Sequence, residues 1–145
     1  MFINLMTMNL HIAPNRLISE IQEEFNKFFP FLKLEFFNNK LSKTGFSAKQ
    51  ILPHTKKIGD SQVVISDGNI EIDEKMKVNE LEKILKDQFS LAAQVFRKSG
   101  NLWLETTMTD NWTLHQQNNH GREISTEKII AIKADDYDLN RDADY

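Results

Sequence analysis

The sequence predicts an α+β domain in which two β-α-β units and their hairpins form one mixed or antiparallel sheet, with helices mainly on one face. Three observations carry this reading. Two amphipathic helical stretches each lie between short alternating or β-branched runs. Asp67-Gly68 and Ser99-Gly100-Asn101 stand between such runs as hairpin signals. Residues 9–37 also align without a gap to residues 69–97, at an offset of 60. A ferredoxin-like sandwich is the natural first arrangement for two such units.

Asn9-Leu10-His11-Ile12 alternates and reads as a strand. Pro14 suits a first helical turn, where its missing N–H costs nothing. Leu17, Ile18, Ile21, Phe25 and Phe28 then give one apolar face, and Glu20, Glu23 and Glu24 favour the positive end of the helix dipole. Phe29-Pro30 ends the helix, and Phe31 to Phe37 reads as a strand broken by Asn38-Asn39. Residues 40–60 are irregular. Val63-Val64-Ile65 and Ile70 to Asp73 flank Asp67-Gly68 as the arms of a hairpin. Val78, Leu81, Ile84, Leu85 and Phe89 form the face of the next helix. Leu91 to Phe96 is a strand that returns through Ser99-Gly100-Asn101 into Leu102 to Thr107. Thr109 or Asp110 caps a short helix through Trp112, Leu114 and Gln117, with Gly121 as its stop. Ile129 to Ile132 fits strand or helix equally.

The offset of 60 yields the identities Asn9/Asn69, Ile12/Ile72, Glu20/Glu80, Phe29/Phe89 and Phe36/Phe96. Apolar positions agree across strand, helix and strand. A duplication accounts for this, and so do two unrelated β-α-β units with helices of similar length.

A chain of 145 residues, 40% hydrophobic and 27% charged, is one domain by size and can bury a core without a staple. The reading assigns residues 1–133 to that domain and 134–145 to an acidic, disordered tail. Met8 is an alternative start, with residues 1–7 as an extension. There is no cysteine, which excludes disulfides, thiolate zinc sites and thiol nucleophiles and fits a reducing, cytoplasmic setting. No signal peptide and no membrane span is expected. Net charge is −3; the tail, with five aspartates and one arginine, contributes −4 and leaves the rest at +1. A near-neutral body has no global field for nucleic acid.

The stretch Val78 through Thr113, VNELEKILKDQFSLAAQVFRKSGNLWLETTMTDNWT, resembles a segment of a family of small bacterial proteins without assigned activity. The likeness extends more loosely to EIQEEFNKFFPFLKLEFF in the first half. It implies a compact bacterial domain and carries over no catalytic residue.

The reactive groups are sparse. His115 and His120 are five apart, off the i, i+4 stacking that two ligands on one helix face need. His11 alternates with Leu10 and Ile12 and so faces solvent. Five glycines include no phosphate-cradling loop, and no serine has a nucleophile-elbow context. No catalytic residue, metal or cofactor is assigned, and a non-enzymatic role is expected. Binding is the better lead. Between Glu35 and Asp60 there is no acidic residue, while Lys40, Lys43, Lys49, Lys56 and Lys57 give +5. Arg97 and Lys98 adjoin the Ser99-Gly100-Asn101 turn, with Trp103 on the returning strand. Lysines with an aromatic on a sheet suit single-stranded RNA or DNA. The favoured expectation is instead a protein partner or self-association. Ten phenylalanines, several between Phe28 and Phe37, place rings on both faces of one strand.

Overall fold

The computed structural model describes residues 7–38, 50–61 and 66–126. Its elements are β1 (Thr7–Ile12), α1 (Ile18–Phe28), β2 (Leu32–Asn38), β3 (Gln50–Ile51), β4 (Gly68–Asp73), α2 (Val78–Phe89), β5 (Ala92–Ser99) and β6 (Leu102–Glu105). A third helix, α3, covers residues 114–126. Short 3-10 turns stand at Ile58–Ser61 and Thr107–Thr109. The α+β class holds, with every named strand pair antiparallel.

The strands fall into two sheets rather than one. β1 pairs with β4 as a ribbon, and the other four follow the order β3-β2-β5-β6. The expected single sheet and ferredoxin-like layout therefore give way to a split arrangement. Each unit sends its first strand to the ribbon and its second to the larger sheet. The physical reason is pairing between equivalent strands: Leu10 lies opposite Ile70, and Leu34 opposite Val95. The core fills the space between them. Leu10, Ile12, Ile70 and Ile72 come from the ribbon, Leu32, Leu34, Phe36 and Val95 from the sheet, and Ile18, Ile21, Phe25, Val78, Leu81 and Leu85 from α1 and α2. These helical positions recur at three and four residues, the spacing that keeps a stripe on one side of a helix.

Asp67-Gly68 is not a hairpin turn. Gly68 is the first residue of β4 and lies opposite Ile12, and its φ is not positive, whereas a tight primed turn needs φ > 0. A Cβ on Gly68 would come 3.2 Å from the Phe89 ring, so the glycine makes room for that ring. Val63 to Ile65, the supposed other arm, lies outside the described residues, as do Ile129 to Ile132, the acidic tail and residues 1–6. Ser99-Gly100-Asn101 does turn the chain: Ser99 pairs with Leu102, and Gly100 takes φ 66° as the first central residue, where a type II′ turn requires a positive value.

α1 starts later than Pro14 suggests and α3 later than Thr109 or Asp110 suggests, whereas α2 starts at Val78, where its apolar face predicts. Pro14 lies in a turn before α1, not in its first helical turn. The N–H groups of Ile18 and Ser19 donate to the carbonyls of Lys56 and His54, at 2.9 and 3.1 Å. Ile58 and Gly59 donate back to Arg16 and Pro14, both at 2.9 Å. The same reciprocal pattern joins the second half. Val78 and Asn79 donate to Trp112 and Asp110, and Leu114 and His115 donate to Met76 and Glu74, at 2.8 to 3.0 Å. Each joint thus satisfies the orphan donors at a helix start with backbone carbonyls. That is why Leu17 and Lys77, which have no capping oxygen, can stand as N-caps.

The third helix runs past Gly121, which is no stop. A Cβ there would come 3.0 Å from both Phe31 Cβ and Arg97 Cγ, so Gly121 lets α3 close on the sheet. The helix starts with a capping box. Thr113 Oγ1 accepts from the Gln116 N–H at 3.1 Å, and Gln116 Oε1 accepts from the Thr113 N–H at 2.9 Å.

The offset of 60 holds through ribbon and helices and then slips. α1 has 11 residues and α2 has 12. The core face of β2 carries Leu32, Leu34 and Phe36, opposite Arg97, Val95 and Ala93. Phe96 therefore lies on the opposite face from Phe36. Their identity in the gapless alignment has no counterpart in space.

Candidate functional site

The hairpin β5–β6 forms one edge of the larger sheet, and its environment follows from the phase of the strands. Val95 N–H donates to Glu82 Oε2 at 3.3 Å, and its carbonyl accepts from Thr106 Oγ1 at 2.7 Å, so Val95's backbone points away from β2. Two residues on, Arg97 and Ser99 likewise point at β6, where they meet Leu104 and Leu102. Leu102 and Leu104 thus spend their backbone groups inward. Trp103 and Glu105 direct theirs outward, along an edge that no other strand occupies among the described residues.

Side chains follow the same alternation. Leu102 and Leu104 lie on the face that carries Arg97 and Val95, yet at the rim they are 64% and 41% exposed. Met108, just beyond, is 94% exposed. Trp103 lies on the opposite face, half-buried, opposite Lys98. Lys33 Nζ stands 5.8 Å from the Trp103 ring centroid, a cation–π distance. On this face Phe37 and Phe96 stack at 6.5 Å, and Glu35 is buried while accepting from Lys33 Nζ at 2.7 Å and Gln22 Nε2 at 3.1 Å. Leu102 and Leu104 thus take the core side of β6 but remain at its open rim.

The structure divides the proposed binding residues. Lys98 and Trp103 come together, and Lys33 joins them. Lys33 gave no signal in the sequence because it sits alone in an apolar strand. Arg97 turns to the other face, donates from Nη1 to Gln117 Oε1 at 2.9 Å and stacks 6.0 Å from the Trp112 ring. Burial lowers its pKa from the usual value. Lys56 and Lys57 are exposed at the first joint, in the segment that follows β3, and β2 alone separates β3 from the hairpin. Lys40, Lys43 and Lys49 lie outside the described residues. His54, in the same stretch, reaches Glu35 Oε1 at 3.4 Å, and Glu35 also holds the Lys33 that stands over Trp103.

The phenylalanine-rich segment is not an exposed apolar patch. Phe36 is fully buried, Phe37 and Phe29 nearly so, and Phe31 lies under the Arg122 guanidinium at 5.6 Å.

Two concave places among the described residues carry polar side chains of interest. One, about 390 Å³, is lined by Glu74, His115, Asn119, Arg122 and Phe29 among others. His115 Nδ1 is 3.2 Å from Glu74 Oε2, and its Nε2 is 3.0 Å from Asn119 Nδ2. With both ring nitrogens engaged, this imidazole acts as a strut between the β4–α2 turn and α3. The second, about 570 Å³, lies between α2 and the start of β5, where Lys83, Lys86, Asp87 and Asp110 mix signs. Gln94 Nε2 donates to Thr107 Oγ1 at 2.9 Å there, and its buried Oε1 has no partner. His11 is half-exposed and meets Asp67 at 2.8 Å. Among the described residues no three His, Asp or Glu side chains gather as a metal site, and no helix is long and apolar enough to cross a membrane.

Compared with family models, curated proteins and solved structures, the chain matches none.

Proposed function

We propose that this is a bacterial, cytoplasmic, non-enzymatic binding or assembly protein that works through the open edge of β6. One observation carries the reading: an edge strand directs backbone groups outward at Trp103 and Glu105, with no partner strand among the described residues, while exposing Leu102 and Leu104 beside them. Open edges of this kind can template another strand, and lysine or proline is a common way to blunt them. β6 has neither, its one charge being the terminal Glu105. Its four residues suit a transient contact rather than an obligate one, since interfaces below about 1,200 Å² belong to weak encounters. A photo-reactive benzoylphenylalanine at Leu104 tests this in cells. It should give a discrete covalent adduct to a polypeptide, whereas the same group at exposed Glu71 on the ribbon should not. No adduct from position 104 would end the proposal.

A second reading has its own observation. Lys33, Lys98 and Trp103 share one face of the hairpin, a small basic and aromatic platform for a single-stranded nucleic acid. It predicts quenching of tryptophan fluorescence by a single-stranded oligonucleotide, with affinity falling steeply as salt rises. Failure to bind at low salt contradicts it. We also propose that the two halves arose by duplication, a view supported by the matching backbone bonds of the two joints.

A further inference from the structure

We infer that the partner of the β6 edge is a second copy of this chain, paired antiparallel about Trp103. The inference rests on the reading of β6 as the interface and goes further by fixing partner and register. The segment Leu102-Trp103-Leu104 is symmetric about its centre. A two-fold axis through Trp103 brings its outward N–H and carbonyl against those of the partner's Trp103, so both hydrogen bonds are exchanged within one pair. The same register sets Leu102 directly opposite the partner's Leu104, and Leu104 opposite the partner's Leu102. All four exposed leucines then meet on one face. Glu105, the only charged residue of β6, falls opposite the partner's Asn101. The two Glu105 side chains are kept roughly 14 Å apart by four residues of strand rise, so no like charges face each other. The contact is isologous and closes after two copies, giving a C2 dimer with one continuous sheet of eight strands.

The absence of native cysteine makes the register directly readable. In this pairing, residue 102 and the partner's 104 form a non-hydrogen-bonded pair with Cα atoms about 4.5 Å apart, inside the disulfide range of roughly 4.4–6.8 Å. Residues 102 and 102 of the two copies stand on a diagonal of about 7–8 Å, outside that range. Full-length Leu102→Cys and Leu104→Cys proteins are therefore oxidised separately and as an equal mixture. Disulfide dimer should form in the mixture at least about tenfold faster than in either alone, because a pair beyond the disulfide range bridges only after backbone movement. Both positions are exposed, and circular dichroism checks that each variant keeps its fold. As a cysteine-independent measure, Leu102→Lys/Leu104→Lys should abolish the dimer seen by light scattering for the wild-type chain. Equal cross-linking in a single variant and the mixture, or a wild-type chain monomeric at every concentration, would overturn the inference. If a position-104 photo-adduct then has the mass of some other polypeptide, the edge reading survives and the second copy does not.

Discussion

The two joints of the molecule share a backbone and differ in what they hold. In the first, Pro14–Leu17 meets His54–Lys57; in the second, Glu74–Lys77 meets Asp110–Thr113. Each exchanges four main-chain hydrogen bonds in the same pattern. Beyond that they diverge. Gly59 in the first corresponds to His115 in the second, and Pro14 corresponds to Glu74. A Cβ on Gly59 would come 2.6 Å from the Pro14 carbonyl oxygen, so that joint is closed tightly. At the other, the His115–Glu74 pair at 3.2 Å occupies the equivalent place. The first joint leads into a single 3-10 turn, and the second into a helix with a capping box that braces Arg97 and the β5–β6 hairpin. A common backbone solution thus leaves the side chains free to specialise, and the hairpin's open edge belongs to the half with the added support.

The largest effects should appear where the halves are equivalent. Phe25→Ala in α1 and Leu85→Ala in α2 remove matching, fully buried side chains, and each should cost about 2–5 kcal/mol in a urea titration. A loss of less than 1 kcal/mol in one half only would show that its core is not shared. Next come the differences. Gly59→Ala should destabilise by about 1–3 kcal/mol because a methyl overlaps Pro14 backbone, whereas His115→Ala should cost about 1 kcal/mol or less as the loss of an exposed polar contact. Equal costs would erase the contrast between the joints. Thr113→Ala removes the capping box and should cost about 0.5–2 kcal/mol, while Lys57→Ala, at the equivalent uncapped position, should be nearly neutral.

The smallest effect is electrostatic and confined to the first half. Arg16 donates to both oxygens of Glu24, at 3.1 and 2.6 Å, and the bonded guanidinium holds the Glu24 carboxyl below its ordinary pKa. A carboxyl depressed on folding adds stability above its unfolded pKa and loses it as pH falls through the lower folded value. The wild-type chain should therefore lose slightly more stability on acidification than Glu24→Gln. Solvent screening limits the difference to about 1 kcal/mol or less. Parallel pH profiles for the two proteins would show the pair to be inert.

Much of this fold is legible in the sequence because its signals are local. The α2 stripe from Val78 to Phe89 and the Gly100 turn follow from periodicity and from a positive φ. The joints were not legible, because their hydrogen bonds run between backbones and leave no mark at Leu17 or Lys77. Asp67-Gly68 misled because a local turn signature cannot register a non-local competitor, the pairing of Gly68 with Ile12. Phe36 and Phe96 looked equivalent because one added helical residue in α2 shifts strand faces without disturbing the apolar pattern. In the site, Lys98 and Trp103 were adjacent by hairpin register. Lys33 came from a strand far along the chain, and Arg97 was claimed by a helix whose approach depends on Gly121.

Hydrogen exchange at β6 tests the proposed role most directly. The amides of Trp103 and Glu105 point outward and have no partner strand among the described residues, while those of Leu102 and Leu104 face β5. As protein concentration rises, exchange at Trp103 should slow while that of exposed ribbon amides stays constant. Exchange at Trp103 that is fast and independent of concentration would contradict self-association through this edge.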